Sequence, residues 1–179
     1  MNQLNIVNSI SFFRIISAPV ILWMILEDKL QFAFWIFLIA SFTDSIDGFI
    51  ARKLNLVTDF GKILDPLSDK ILIFSVFLAL SYKDMLATPI LLIIILRDFI
   101  ILVGTVLTLL FKKKFNYTPL KIGKITFFFQ SCYAAILLCH YSNYYDLNNI
   151  IKYFGLFVIC ITLVSGILYV IRWFQEVLQ

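Results

Sequence analysis

Apolar segments of about twenty residues fill most of this 179-residue chain, and they constrain the fold more than any other feature. A helix of that length crosses the hydrocarbon core of a bilayer, which is ~30 Å thick. Inside a bilayer every backbone amide and carbonyl must be paired within the protein, so spanning segments are helices or closed barrels. The alternating pattern of barrel strands is missing from the sequence. The sequence therefore predicts an all-α, polytopic membrane protein.

Six transmembrane helices are predicted, in a chain of which 61% is hydrophobic. Charged or polar turns separate the apolar runs and set the limits of each helix. The predicted spans are 6–26, 32–53, 65–82, 88–111, 121–139 and 147–173. Asp65-Pro66 is expected to open the third span after a polar connection, since proline fits the first turn of a helix. The whole chain, 1–179, is expected to form a single membrane domain.

Lysine and arginine are concentrated on one side of the predicted bilayer. The connections after the second and fourth spans are rich in them, whereas the opposite loops carry only Lys29, Lys83 and Lys152. Because positively charged loops stay on the cytoplasmic side, the ends of spans two and four are expected to be cytoplasmic. The first apolar segment contains Arg14 and lacks a small-residue cleavage site, so it is expected to remain as a helix of a bacterial inner membrane or an equivalent membrane.

Four aspartates stand near the predicted cytoplasmic ends of the second and third spans. The pair Asp44 and Asp47 has i,i+3 spacing and the pair Asp65 and Asp69 has i,i+4 spacing, so each pair projects from one helix face. An isolated acidic pair can be a solvated face, but carboxylates that enter a membrane are costly and are functional by default. Such oxygen ligands suit one or two hard divalent cations such as Mg²⁺ or Mn²⁺, which can clamp phosphoryl groups.

Small and basic residues accompany the aspartates. Gly48 has no side chain, so a phosphate or sugar can approach the backbone closely there, and Ala51 keeps the same face open one turn later. Arg52 offers a planar fork for phosphate oxygens. Gly61 frees the backbone just before the second aspartate pair. Gly48 and Ala51 could also serve close packing of membrane helices, and both roles can hold at once.

These residues form the pattern D-x2-D-G-x2-A-R-x8-G-x3-D-x3-D, which is the signature of the CDP-alcohol phosphatidyltransferase family. The chain matches all eight fixed positions and so resembles that family. Its stretch 5–14 is also similar to the family's N-x-P-N-x-L-T-x-x-R opening, with Val7 replacing the proline and Ser11 the threonine. The segments 58–61 and 64–70 look typical of bacterial members, so the resemblance covers nearly the whole chain.

The resemblance implies a six-helix membrane enzyme, usually a homodimer, with a cytoplasm-facing cavity. Family members move a phosphatidyl group from CDP-diacylglycerol to an alcohol and release CMP. By matching positions, Asp69 would be the general base on the acceptor hydroxyl. The metal ligands would be Asp44, Asp47, Asp65 and Asp69. The residues lining the CDP-lipid site would be Gly48, Ala51, Arg52, Thr58 and Gly61.

The acceptor alcohol is less closely determined. Arg97, beside Asp98, resembles the arginine–acid pair of the branch that makes phosphatidylglycerophosphate or cardiolipin, and Lys121 and Lys124 resemble basic residues of that branch. These cations could bind an acceptor phosphate. Alternatively, Arg97 pairs structurally with an acid and the lysines are ordinary positive-inside charge. Thr105 stands where phosphatidylglycerophosphate synthases carry another arginine, so both glycerol 3-phosphate and phosphatidylglycerol stay open as acceptors.

Two alternatives from other functional classes are less well supported by the sequence. A cation or proton transporter could use the same carboxylates, but transporters favour acids near the midplane on broken helices and often contain internal repeats. A non-catalytic lipid-binding relative is disfavoured because all four aspartates are present.

The expected partners are CDP-diacylglycerol, an alcohol acceptor, membrane lipids and a second copy of the chain. The modest net charge of +4 suits anionic headgroups better than nucleic acid.

Overall fold

A computed structural model describes the backbone of residues 2–53, 59–111 and 120–177, and the side chains of residues 13–43, 67–104 and 120–175. Within these residues the chain is all-α, with six helices and no strands, as the sequence predicts. The helices are α1 (Asn2–Leu26), α2 (Leu30–Lys53), α3 (Asp59–Tyr82), α4 (Thr88–Phe111), α5 (Lys121–Tyr141) and α6 (Asn148–Val177).

The start of α3 differs from the prediction. The expected polar connection before Asp65-Pro66 is wrong in its second half, because α3 already begins at Asp59. An acidic residue is favourable at a helix N-terminus, where the backbone amides carry partial positive charge. Proline within a membrane helix is tolerated when neighbouring groups satisfy the freed carbonyl. Helix α1 likewise continues through Pro19. The bounds of the other helices agree with the predicted spans to within a few residues.

Packing divides the chain into two compact units, and α5 contributes to both. The first unit consists of Met1–Leu86 and Ala134–Asp146, and the second of Ala87–Tyr133 and Leu147–Gln179. The first unit therefore contains α1, α2, α3 and the C-terminal part of α5. The second contains α4, α6 and the N-terminal part of α5.

In the first unit, α1 packs against both α2 and α3. Ala18, Ile21 and Ile25 on α1 are fully buried, and their spacing of three and four residues places them on one stripe of the helix. Ala33 and Ala40 on α2 are also fully buried. Small residues at such positions let two backbones approach closely, which favours helix association in a bilayer through van der Waals contact.

Among the described residues of the first unit, three helices are followed by a left-handed residue that is not glycine. Asp28, Asp84 and Asn143 have φ values of 58°, 56° and 60° and follow α1, α3 and α5. Aspartate and asparagine adopt this conformation more readily than most residues. After α1, the Lys29 amide donates to the Met24 carbonyl at 2.8 Å, which is the long hydrogen bond of a Schellman cap. These caps end the helices within short turns.

In the second unit, α4 packs against α6, and aromatic rings join α5 to α6. The Phe129 ring centroid lies 4.8 Å from that of Phe157 and 6.1 Å from that of Phe154, and Tyr133 lies 6.2 Å from Phe154. Gly155 on α6 approaches Tyr133 so closely that an added Cβ would lie 2.7 Å from the tyrosine hydroxyl oxygen. Edge-on and tilted ring contacts of this kind add about 0.5–1.5 kcal/mol each beyond the area they bury.

Within the described residues, two helices are long and apolar enough to cross a membrane: Lys121–Tyr141 and Asn148–Gln175. Large apolar side chains are also exposed on the other helices, among them Trp23, Phe42 and Leu96. Exposed apolar surface on this scale is unusual for a water-soluble protein and suits contact with lipid. The architecture is consistent with a membrane protein, and six spans stay a prediction.

Candidate active site

The aspartate motif occupies the C-terminal half of α2 and the N-terminal half of α3. Both helices are continuous through the motif positions, so the predicted i,i+3 and i,i+4 spacings fall on helical backbone. Both helices also pack against α1. Thr58 lies outside the described residues. The other motif residues whose side chains lie outside them are Asp44, Asp47, Gly48, Ala51, Arg52, Gly61 and Asp65.

Asp69 is the one motif carboxylate whose side chain the structure describes. It lies on α3 and forms an ion pair with Arg14 on α1 through its Oδ1 atom. The Arg14 side chain is only 2% exposed, whereas that of Asp69 is 24% exposed. A buried guanidinium needs an acidic partner, because removing a lone charge from water costs several kcal/mol. The last aspartate of the motif is therefore held against α1 and still keeps an open side.

The fit of a divalent metal rests on the chemistry of the predicted ligands. Among the described side chains, no group of three or more metal-ligating residues comes together, and three of the four predicted ligands lie outside that part. Carboxylate oxygens are the ligands that Mg²⁺, Mn²⁺ and Ca²⁺ prefer. The open side of Asp69 leaves room for such a contact. The donor set thus fits a hard divalent cation.

Arg97 lies in the second unit, where residues of two helices hold it. Its side chain is 7% exposed; Nη1 donates to Asp98 Oδ1 at 2.6 Å, and Nη2 donates to Ser165 Oγ on α6 at 2.8 Å. The guanidinium carbon lies 5.7 Å from the ring centroid of Tyr169, also on α6. Its Nε is buried without a hydrogen-bond partner among the described residues. The pairing with Asp98 that the sequence left open is therefore present.

Helix α5 approaches the same cluster at Gly123. A Cβ added there would lie 2.6 Å from the Tyr169 hydroxyl oxygen and 3.3 Å from Arg97 Nη2. Only glycine therefore fits at this distance without a shift of its neighbours. Lys121 and Lys124 lie in the first turn of α5 on either side of Gly123, and both are exposed. The three predicted acceptor-binding residues thus belong to one unit, with the arginine buried and the lysines exposed.

Sequence reasoning missed the partners that α6 supplies to Arg97. These partners, Ser165 and Tyr169, lie four residues apart on this helix. Thr162, three residues before Ser165, instead accepts a hydrogen bond from Gln130 Nε2 at 3.2 Å. Hydroxyl side chains inside an apolar span are a signal that could have pointed to them. The sequence does not say which distant residue they meet, because Ser165 follows Arg97 by 68 residues.

Comparisons with known proteins agree with the motif. The family model described as CDP-alcohol phosphatidyltransferase matches residues 4–172. A CDP-diacylglycerol–glycerol-3-phosphate 3-phosphatidyltransferase of Aquifex aeolicus (strain VF5) is 34% identical, over 98% of this chain and 99% of that protein. A protein of the same name from Rickettsia felis is 36% identical over 75% of each chain. A CMP-forming cardiolipin synthase of Rattus norvegicus is 37% identical over 76% of this chain and 44% of that protein.

Proposed function

The chain belongs to the CDP-alcohol phosphatidyltransferase family, and we propose that it transfers the phosphatidyl group of CDP-diacylglycerol to glycerol 3-phosphate and releases CMP. It is thus an enzyme of phospholipid synthesis. The observation that carries the choice of acceptor is the similarity, over almost the full length of both chains, to a relative named for glycerol 3-phosphate. The eight fixed motif residues support the reaction type.

In the proposed reaction, Asp69 accepts the proton of the acceptor hydroxyl while the hydroxyl oxygen attacks the lipid-linked phosphorus. A new P–O bond forms, and the bond from that phosphorus to the bridging pyrophosphate oxygen breaks. CMP leaves with the electron pair of the broken bond. Family members generally depend on a divalent metal, which when bound neutralises phosphate charge and stabilises the leaving oxygen. The residues proposed to hold it are Asp44, Asp47, Asp65 and Asp69.

The remaining motif residues are proposed to bind the nucleotide end of the lipid. A glycine or alanine at three of these positions lets phosphate and sugar lie against the helix backbone, and the arginine supplies a fork that matches phosphate oxygens. The residues proposed for this site are Gly48, Ala51, Arg52, Thr58 and Gly61. The diacylglycerol chains can stay in the bilayer throughout, which explains why phosphate chemistry takes place on membrane helices.

The acceptor phosphate is proposed to bind Arg97, Lys121 and Lys124. The buried Nε of Arg97 supports this assignment, since a guanidinium donor without a partner among the described residues can bind an oxygen anion. The exposed lysines on either side of Gly123 add positive charge at the start of α5. Glycerol 3-phosphate carries a phosphate monoester, so a cluster of three cations suits its charge.

The enzyme is further proposed to be a multi-pass protein with six spans and one catalytic domain covering residues 1–179. The reaction would take place at the cytoplasmic face, because lysines and arginines gather in the connections after α2 and α4. The resemblance to the family also supports a homodimer.

Phosphatidylglycerol is the second candidate acceptor, which would make the enzyme a cardiolipin synthase. Two observations favour it: Thr105 stands where an arginine is usual in the phosphatidylglycerophosphate branch, and the chain is 37% identical to the rat cardiolipin synthase. The chain spans less than half the length of that protein, at 44%. The full-length relative therefore has more weight in the choice.

A panel of acceptors tests the proposal. The purified protein in detergent would be incubated with CDP-diacylglycerol, Mn²⁺ or Mg²⁺, and either glycerol 3-phosphate, phosphatidylglycerol, inositol phosphate or serine. We expect metal-dependent CMP release with glycerol 3-phosphate. Release with phosphatidylglycerol alone would identify a cardiolipin synthase, and ion flux in vesicles without CMP release would identify a transporter.

Two matched variants test the role of the motif. Asp69→Asn removes the proposed base and should abolish CMP release. Asp28→Asn changes an exposed carboxylate in the turn after α1 and should leave CMP release unchanged. An Asp69→Asn protein as active as the wild type would remove Asp69 from the mechanism.

A further inference from the structure

Arg14 carries no assigned role, yet it is the most deeply buried charge in the described part of the first unit. Its side chain is 2% exposed and contacts Asp69, the carboxylate proposed as general base. We propose that Arg14 is a positioning residue that holds the Asp69 carboxylate in the orientation needed for catalysis and metal binding. This inference rests on the proposed function, since it assumes that Asp69 acts in the reaction.

The contact is set by helix packing. Asp69 follows Arg14 by 55 residues, and a second ion pair, Lys83 Nζ to Asp28 Oδ1 at 2.8 Å, joins the turns directly after α3 and α1 with the same separation of 55. Equal separations at two places mean that α1 and α3 run parallel in a single register. The register of α1 against α3 therefore places Arg14 opposite Asp69. The contact does not depend on the choice of Arg14 rotamer alone.

The chemistry of the pair suits positioning. A guanidinium is always charged, is planar and donates in fixed directions, so it restricts both the place and the tilt of a carboxylate. Arg14 contacts Oδ1, so Oδ2 is not used by this ion pair and could receive a proton. The asymmetry in burial agrees with this arrangement, because Arg14 is enclosed while Asp69 is 24% exposed. A pair that served packing alone could be replaced by apolar side chains at little cost.

The test uses variants of the full chain, purified in detergent and compared with the wild type. For Arg14→Met we expect kcat for CMP release to fall by about 10- to 100-fold, the usual effect of removing a residue that orients a metal ligand, with the KM values for both substrates nearly unchanged. Arg14→Lys keeps the charge without the planar fork and should recover part of the loss. Lys83→Met removes the other ion pair of the same register and should keep the wild-type kcat.

A second readout does not depend on turnover. Mn²⁺ binding to the purified protein, followed by electron paramagnetic resonance, should weaken by about tenfold in Arg14→Met. If Arg14 acted only as a repelling positive charge, its removal would tighten Mn²⁺ binding instead. A protein that binds Mn²⁺ normally but releases no CMP with any acceptor would contradict the proposed function, whatever the Arg14 variants do.

Three results would overturn the role of Arg14. They are wild-type kcat and Mn²⁺ affinity in a folded Arg14→Met protein, an equal loss of kcat in Lys83→Met, and a loss that follows only the fraction of folded protein. Circular dichroism melting of each variant measures that fraction. If Arg14→Met does not fold, Arg14→Lys decides: unchanged kcat and Mn²⁺ affinity in that variant would refute positioning by the planar fork.

Discussion

Replacing Gly123 by alanine is the sharpest test of the cluster around Arg97. The new Cβ would lie 2.6 Å from the Tyr169 hydroxyl oxygen and 3.3 Å from Arg97 Nη2. Carbon–oxygen contacts this short are strongly repulsive, so the tyrosine hydroxyl would have to retreat by roughly half an ångström. Tyr169 packs against the Arg97 guanidinium, and its displacement would disturb the hydrogen bond from Arg97 to Ser165.

The size of the effect can be worked from these contacts. Overpacking a closely packed site costs about 1–3 kcal/mol, and the gain in helix propensity from glycine to alanine offsets about 1 kcal/mol of it. We therefore expect a net destabilisation of roughly 0–2 kcal/mol. A hydrogen bond to a charged group contributes about 1.5–3 kcal/mol. If the shift weakens the proposed contact of Arg97 with the acceptor phosphate, the acceptor KM should rise by about tenfold or more.

Two other glycine variants serve as matched controls. At Gly155 an added Cβ would lie 2.7 Å from the Tyr133 hydroxyl oxygen, a similar clash on the same helix pair, but next to the aromatic cluster instead of Arg97. At Gly104 the nearest atom would be 3.8 Å away, on Trp173, which is an ordinary contact. Gly155→Ala should therefore lower the melting temperature with no change in acceptor KM, and Gly104→Ala should change neither.

The assay is CMP release at varied concentrations of glycerol 3-phosphate and of CDP-diacylglycerol, with thermal melting of each variant. We expect Gly123→Ala to raise the KM for the acceptor and to leave that for CDP-diacylglycerol within about twofold of the wild type. An unchanged acceptor KM in a Gly123→Ala protein that melts like Gly155→Ala would refute the reasoning. An equal rise in both variants would mean that loosened packing of α5 on α6 causes the effect.

Three further predictions concern stability and metal dependence. Thr162→Val removes the acceptor of the Gln130 amide and should lower the free energy of unfolding by about 0.6–2 kcal/mol, measured in detergent; pairing it with Gln130→Leu should recover most of that loss, and no recovery would contradict the pairing. Lys83→Met breaks a partly exposed ion pair with Asp28 and should lower the free energy of unfolding by no more than about 1 kcal/mol. A larger loss of free energy would contradict the exposure of this pair in the structure. Chelation of divalent ions should abolish CMP release and Mn²⁺ should restore it, whereas activity that survives chelation would exclude the carboxylate metal site.

Helix positions could be predicted where composition and capping agree. The bounds of α4, Thr88–Phe111, match the prediction, because Thr88 and Pro89 form a usual helix start and lysines follow its end. The start of α3 was missed for a physical reason. Hydropathy marks only the part of a helix that lies in hydrocarbon, and the turns from Asp59 onward are polar enough to resemble a loop.

In the site, likewise, features within one helix could be predicted from the sequence, whereas contacts between residues far apart in the chain could not. The aspartate motif could be predicted because its spacing acts within single helices, where i,i+3 and i,i+4 neighbours share a face. The contacts of Arg14 with Asp69 and of Arg97 with Ser165 could not, since they join residues 55 and 68 positions apart. Such pairs depend on the register between packed helices, and a single sequence does not show that register directly.

Helix α1 contains no residue of the aspartate motif, yet its length is tied to that of α3. Asp28 follows Arg14 by fourteen residues, and Lys83 follows Asp69 by fourteen. The helical part of each stretch, from Arg14 to the end of α1 and from Asp69 to the end of α3, is about 18–20 Å long. One residue inserted into either stretch alone would advance everything beyond it by about 1.5 Å and rotate it by about 100°. The two ion pairs could not then both form, whereas matched insertions in both stretches would preserve them. Away from Arg14 and the buried face, the first helix is therefore expected to tolerate substitution better than a change in length.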